Sequence, residues 1–81
     1  MENRDIDIIK NMKTVEWLKA QLLSTVANLY TTLESGEENT RENLEDIISN
    51  IILNSLLLGK RLGLNYESIE SALRDNIRIN L

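Results

Sequence analysis

The chain has no cysteine, no histidine, no proline and no phenylalanine, and each absence removes something. Without cysteine there is neither a disulfide nor a thiolate zinc site. Without histidine the commonest general base and transition-metal ligand is gone, and with it any charge switch near neutral pH. Without proline the backbone contains no obligatory helix stop. Glycine is scarce as well, at positions 36, 59 and 63 only. Nine basic residues against 13 acidic ones leave a net charge of -4. A nucleic-acid binder needs a concentrated positive face, so no nucleic acid is expected as a partner. The most apolar stretch, residues 47–58, is interrupted by Ser49, Asn50, Asn54 and Ser55. It also falls well short of the roughly 20 residues that span a bilayer, so no membrane is expected either. The N-terminus opens polar, with Glu2, Asn3, Arg4 and Asp5, and no secretory leader is in view. The expectation is a soluble, cytoplasmic protein.

What the chain does have is helical periodicity. Leu18, Leu22, Val26, Leu29 and Leu33 recur at steps of four and three, which puts them on one stripe. Leu23, Ala27 and Tyr30 widen it. This spacing predicts a helix over residues 14–33, with residues 4–12 either a short separate helix or its upstream extension. Residues 34–39 read as a turn, with Gly36 suited to a left-handed cap. Asn39 followed by Glu42 fits the start of a second helix, over residues 40–62. The middle of that helix is apolar on nearly every side, at Leu44, Ile47, Ile48, Ile51, Ile52, Leu53, Leu56, Leu57 and Leu58. A helix apolar all round must be covered all round. Gly63 closes it, and Lys60 and Arg61 complement the negative end of its dipole. Asn65 caps a third helix over residues 66–79, with Ile69, Leu73 and Ile77 on one stripe. No segment carries a strand pattern.

The fold class expected is therefore all-α, a single domain over residues 1–81 built as a small bundle of three to four helices. A domain of this length buries only about 60% of the surface its unfolded chain exposes. Small scaffolds usually add a disulfide, a metal or a second copy of themselves. Here the apolar second helix points to the last of these, a homo-oligomer formed through residues 44–58.

Residues 48–65 resemble the second core helix of the MazG and dimeric-dUTPase superfamily of all-α nucleotide pyrophosphohydrolases. Leu62, Gly63, Leu64 and Asn65 are similar to the family's Leu-Gly-Ile-Asp-like turn. Leu73, Arg74, Asp75, Asn76, Ile77 and Arg78 are similar to the Asn-containing stretch that follows it. Trp17, Leu18, Gln21, Leu22 and Leu23 open the helix that stands in the place of the family's first core helix. The resemblance covers about residues 14–78 and implies a MazG-like helical bundle. In the active family, Glu-Glu-x-x-Glu on the first helix faces Glu-x-x-Asp on the second. Residues three and four apart share a helix face, so the two faces converge carboxylates on Mg²⁺. Magnesium takes oxygen ligands and neutralises a triphosphate while a water attacks. Carried onto this sequence, those positions are Ser24, Thr25, Asn28, Ile47 and Asn50, none of them acidic. The absence does not depend on register, because residues 17–33 and 47–66 contain no Asp or Glu at all.

The resemblance and the missing carboxylates together imply a MazG-like protein without pyrophosphohydrolase activity and without a cofactor. It would act as an oligomeric interaction or ligand-sensing module, with a protein or a nucleotide as possible partner. The rival is a house-cleaning nucleoside triphosphate pyrophosphohydrolase with an unorthodox Mg²⁺ site at Glu42, Glu45 and Asp46. Those three residues also read as favourable negative charge in a helix's first turns. A third possibility is a purely structural assembly partner. Asn28, Asn50 and Asn54 sit in apolar stretches and have two readings: a polar ligand pocket, or an amide network fixing helix register and oligomer state. Ser24 and Thr25 have no base nearby to activate them, so they are pocket or packing residues and not nucleophiles. Trp17 and Lys19 would suit a base and a phosphate, or simply the core and surface. Lys60 and Arg61 would suit an anion, or only the helix dipole. Arg74 lies one turn from Glu70, which predicts a solvated ion pair.

Overall fold

The computed structural model describes residues 2–35 and 41–81, with side-chain surroundings given from Ile9 onward. These residues form three helices: α1 (Glu2–Glu34), α2 (Arg41–Arg61) and α3 (Tyr66–Asn80). Among the described residues there is no strand. Residues 4–12 are the upstream extension of α1 and not a separate helix. Nothing in α1 breaks the backbone ladder, since it contains neither Pro nor Gly, and extending an existing helix costs far less than nucleating a new one. The second helix ends at Arg61, one residue short of expectation, and the third runs one residue longer. Gly36, Asn39 and Thr40, on which the first turn and the start of α2 were read, lie outside the described residues.

α1 and α2 form an antiparallel hairpin. Near its open end Asn11 Nδ2 donates to the Arg61 carbonyl at 3.1 Å, joining residues 50 apart in sequence. The seam follows a strict alternation of four and three. Asn11, Val15, Leu18, Leu22, Thr25, Leu29 and Thr32, with Thr14 beside Val15, are the buried or half-buried side of α1. Leu44, Ile47, Ile51, Asn54 and Leu58 are that of α2, whose Leu56 and Gly59 are also covered, near α3. This is coiled-coil spacing, with Leu18 and Ile47 the buried apolar side chains among the described residues. The expected stripe was off by one residue at two places: Thr25 and Thr32 take the seam, while Val26 and Leu33 turn outward. The threonines fit there because their hydroxyls are satisfied within α1. Thr25 Oγ1 donates to the Gln21 carbonyl at 2.7 Å, and Thr32 Oγ1 to Asn28 Oδ1 at 3.4 Å.

The α2–α3 turn is built as the sequence implies. Gly63 adopts φ +85, the left-handed conformation a Cβ would strain. Leu64 N–H donates to the Gly59 carbonyl at 3.0 Å and Gly63 N–H to the Lys60 carbonyl at 3.1 Å, the paired bonds of a Schellman cap. Asn65 then caps α3, its side chain accepting from the Ser68 backbone N–H at 2.7 Å. α3 approaches α2 at Gly59, which is buried; a Cβ there would stand 3.0 Å from Ile69 Cδ1. Beyond Ile69 the α3 stripe is open, with Leu73 and Ile77 exposed.

The result is long and thin, 54 × 30 × 17 Å. Its radius of gyration is 16.2 Å, against about 12 Å for a compact chain of this length. It exposes 7021 Å², about 2,000 Å² more than the usual surface of a folded monomer of this mass.

Candidate functional site

The two long helices turn different chemistry to the two sides of their seam. Each residue rotates 100° about a helix, so on α1 Gln21, Ser24 and Asn28 flank one side of the seam. Leu23, Val26, Tyr30 and Leu33 flank the other. On α2, Asn43, Asp46 and Asn50 flank the same side as the α1 polar set, and Ile48 and Ile52 the opposite one. Over residues 21–33 and 43–52 the hairpin thus has a polar side and an apolar side.

On the polar side lies a groove of about 360 Å³. From α1 it is lined by Gln21, Ser24, Thr25 and Asn28, and from α2 by Asn43, Asp46, Ile47 and Asn50. All five positions carried over from the acidic pattern, Ser24, Thr25, Asn28, Ile47 and Asn50, are therefore brought to one place. Asn54 is not: it is half-buried at the seam, one turn down from Asn50. Among the described residues no hydrogen bond joins Asn28, Asn50 and Asn54 to one another. Asn28 instead accepts from Thr32. Thr25's hydroxyl is committed to its own helix, so the groove's polar atoms come chiefly from amides and from Ser24.

Three groove residues were not singled out from the sequence: Gln21, Asn43 and, as a groove member, Asp46. The periodicity carries them, since Gln21 stands three and four residues before Ser24 and Thr25, and Asn43, Asp46 and Asn50 are similarly spaced. Asp46 had been grouped with Glu42 and Glu45, but only Asp46 lines the groove. Among the described residues no three acidic or other metal-ligating side chains gather in a group able to hold an ion. As a donor set for Mg²⁺ the groove is a poor fit. It offers one carboxylate, an aliphatic side chain, and neutral amides and hydroxyls, where magnesium is held by carboxylates and phosphates. What it can do is exchange hydrogen bonds with an uncharged polar group, because amides both donate and accept.

A second concavity lies on the same side, nearer the open end of the hairpin. It has a volume of about 520 Å³ and is lined by Trp17, Leu57, Lys60 and Arg61 among others. Lys19 takes no part in it. Two residues on from Trp17, it faces away and pairs with Glu16 at 2.9 Å. Arg74 likewise pairs with Glu70 at 2.9 Å, the solvated pair expected.

An antiparallel hairpin of long helices with a groove between them, followed by a tightly capped third helix, makes this an all-α protein. The chain belongs to the MazG-like family, whose model matches residues 8–81. No curated protein and no solved structure matches it. No described helix is long and apolar enough to cross a membrane.

Proposed function

We propose that the chain works without the family's magnesium chemistry, as an oligomeric MazG-like module that binds a ligand or a protein partner. The single observation that supports this is the lining of the groove. Ser24, Thr25, Asn28, Ile47 and Asn50, onto which the resemblance carries the family's carboxylate positions, line it, yet Asp46 is its one acidic residue. A triphosphate brought to this groove would meet no basic side chain and no metal-holding cluster in its lining, so the hydrolysis would have neither its Lewis acid nor its charge neutralisation. The groove retains the shape of a binding site with neutral hydrogen-bonding chemistry.

Oligomerisation is supported by surface. Among the described residues two apolar side chains are buried, a small core for a chain of 81 residues. Leu23, Tyr30, Leu33 and Ile52 are each more than half exposed, on the apolar side of the hairpin. A second copy seated on that side covers them and leaves the groove open. If each protomer gives up its excess of about 2,000 Å², the pair buries about 4,000 Å², within the range of obligate dimers.

The test is an assay of pyrophosphate release from each common nucleoside triphosphate, with Mg²⁺ or Mn²⁺ present. No turnover is expected. Turnover that disappears in the Glu42→Gln/Glu45→Gln/Asp46→Asn variant would establish the rival instead, a pyrophosphohydrolase with an unorthodox metal site.

A further inference from the structure

We propose that the cleft at the open end of the hairpin binds a small aromatic phosphate, without metal, the ring lying on Trp17 and the phosphate on Lys60 and Arg61. The site shares no lining residue with the polar groove, so it stands or falls independently of the pyrophosphohydrolase assay. Its volume of about 520 Å³ is in the range of small-molecule sites.

Trp17 is 59% exposed although it is the largest apolar side chain in the chain. It stands at the wall of a cleft where Leu57 supplies a second apolar surface, and Lys60, Arg61 and Thr14 supply donors. An indole face stacks on a flat ring, and a guanidinium and an ammonium together hold a phosphate. These cations come from the far end of α2, 43 and 44 residues from Trp17, and only the antiparallel fold unites them with it.

The obvious alternative is that Lys60 and Arg61 merely complement the end of the helix dipole. Yet the carbonyls that carry that negative end are already occupied. Leu58 O accepts from Leu62 N–H, Gly59 O from Leu62 and Leu64, and Lys60 O from Gly63. Arg61 O accepts from Asn11 Nδ2. All four orphan carbonyls of the last turn have partners, so the two cations are not needed there. Nor are they spent on carboxylates: among the described residues neither forms an ion pair. Residues 47–66 contain no acid, and Asp46 lies 14 residues, or about 21 Å along α2, from Lys60. On α1, Lys10 and Lys13 stand on the turns preceding Trp17, seven and four residues away on the same face. In a chain of net charge -4 the cleft's own lining holds two cations and no carboxylate, which is the field an anion requires.

Trp17 is the only tryptophan, so its fluorescence reports the site directly. The probe is adenosine monophosphate, titrated with a chelator present, with adenosine and inorganic phosphate as half-ligands. The expected result is saturable quenching by the monophosphate, with affinity at least tenfold above that of adenosine. Lys60→Gln/Arg61→Gln should weaken it tenfold or more while circular dichroism stays unchanged. Should that variant fail to fold, the unaltered protein still decides the matter. Its affinity must fall steeply as salt rises from about 0.02 to about 0.5 M, over which the screening length contracts severalfold. Absence of saturable quenching at millimolar probe, equal quenching by adenosine, a folded double variant with wild-type affinity, or salt-independent binding overturns the proposal.

Discussion

At the scale of single residues, the groove depends on which side chains can be recharged without disturbing the seam. Ser24, Asn28 and Asn50 are exposed and line the groove, whereas Ile47 is 5% exposed and holds the hairpin together. Ser24→Glu/Asn28→Glu/Asn50→Asp therefore adds three carboxylates to Asp46 while sparing the core. This variant is expected to lose stability without metal, through like-charge repulsion, and to regain it with Mg²⁺. Saturating the site a hundredfold over its dissociation constant corresponds to about 2.7 kcal/mol, readable as a thermal shift that the wild type lacks. A folded variant with no metal-dependent shift means the three positions do not converge. Adding Ile47→Glu should instead unfold the chain, because a carboxylate buried at the seam has no partner.

The caps are equally local in cause. Asn65→Ala removes the acceptor for Ser68 N–H and should cost about 1 kcal/mol. Gly63→Ala forces a side chain into φ +85 and should cost about 1–2 kcal/mol. Urea titration of both variants checks these values, and a neutral Gly63→Ala contradicts the conformation of the turn.

Among the elements, α2 is the one whose two flanks matter separately. Asn54 occupies a seam position that is otherwise Leu or Ile, where a polar residue characteristically sacrifices stability for a defined register. Asn54→Leu is expected to raise the urea midpoint and to broaden the distribution of oligomers in sedimentation velocity. A lowered midpoint would mean that Asn54 satisfies a polar group which the substitution strands.

Much of this level was legible in the sequence. Helix number, the ends of α3 and the Gly63–Asn65 turn follow from local rules, because a cap involves residues three or four apart. The seam was legible only in part. Thr25 and Val26 compete for the same inward position, and hydrophobicity favours valine. What decides for threonine is the four-three alternation together with a hydroxyl satisfied at the Gln21 carbonyl. The pairing of Trp17 with Lys60 and Arg61 was not legible, since it depends on where two distant segments meet. Lys19 was the nearest cation in sequence and lies on the wrong face.

For the whole molecule, shape and surface determine the expected assembly. Sedimentation equilibrium should give at least twice the 9.3 kDa of one chain at micromolar concentration. Ile48→Glu and Tyr30→Glu, on the apolar side of the hairpin, should dissociate or unfold it. Leu53→Glu and Leu57→Glu lie on the flank facing the polar side and separate two arrangements. If they too dissociate the assembly, the oligomer also wraps that flank of α2. A folded Ile48→Glu of unchanged mass removes the apolar side from the interface.

The central claim, that a MazG-like hairpin here carries a groove without magnesium chemistry, is tested most directly by calorimetric titration of Mg²⁺ into the wild-type protein. The titration is run with a non-hydrolysable nucleoside triphosphate analogue present, so that any metal–triphosphate complex has its chance to bind. Heats no larger than those of the analogue alone are predicted. A saturable uptake of metal by the protein, abolished by Asp46→Asn, would contradict it.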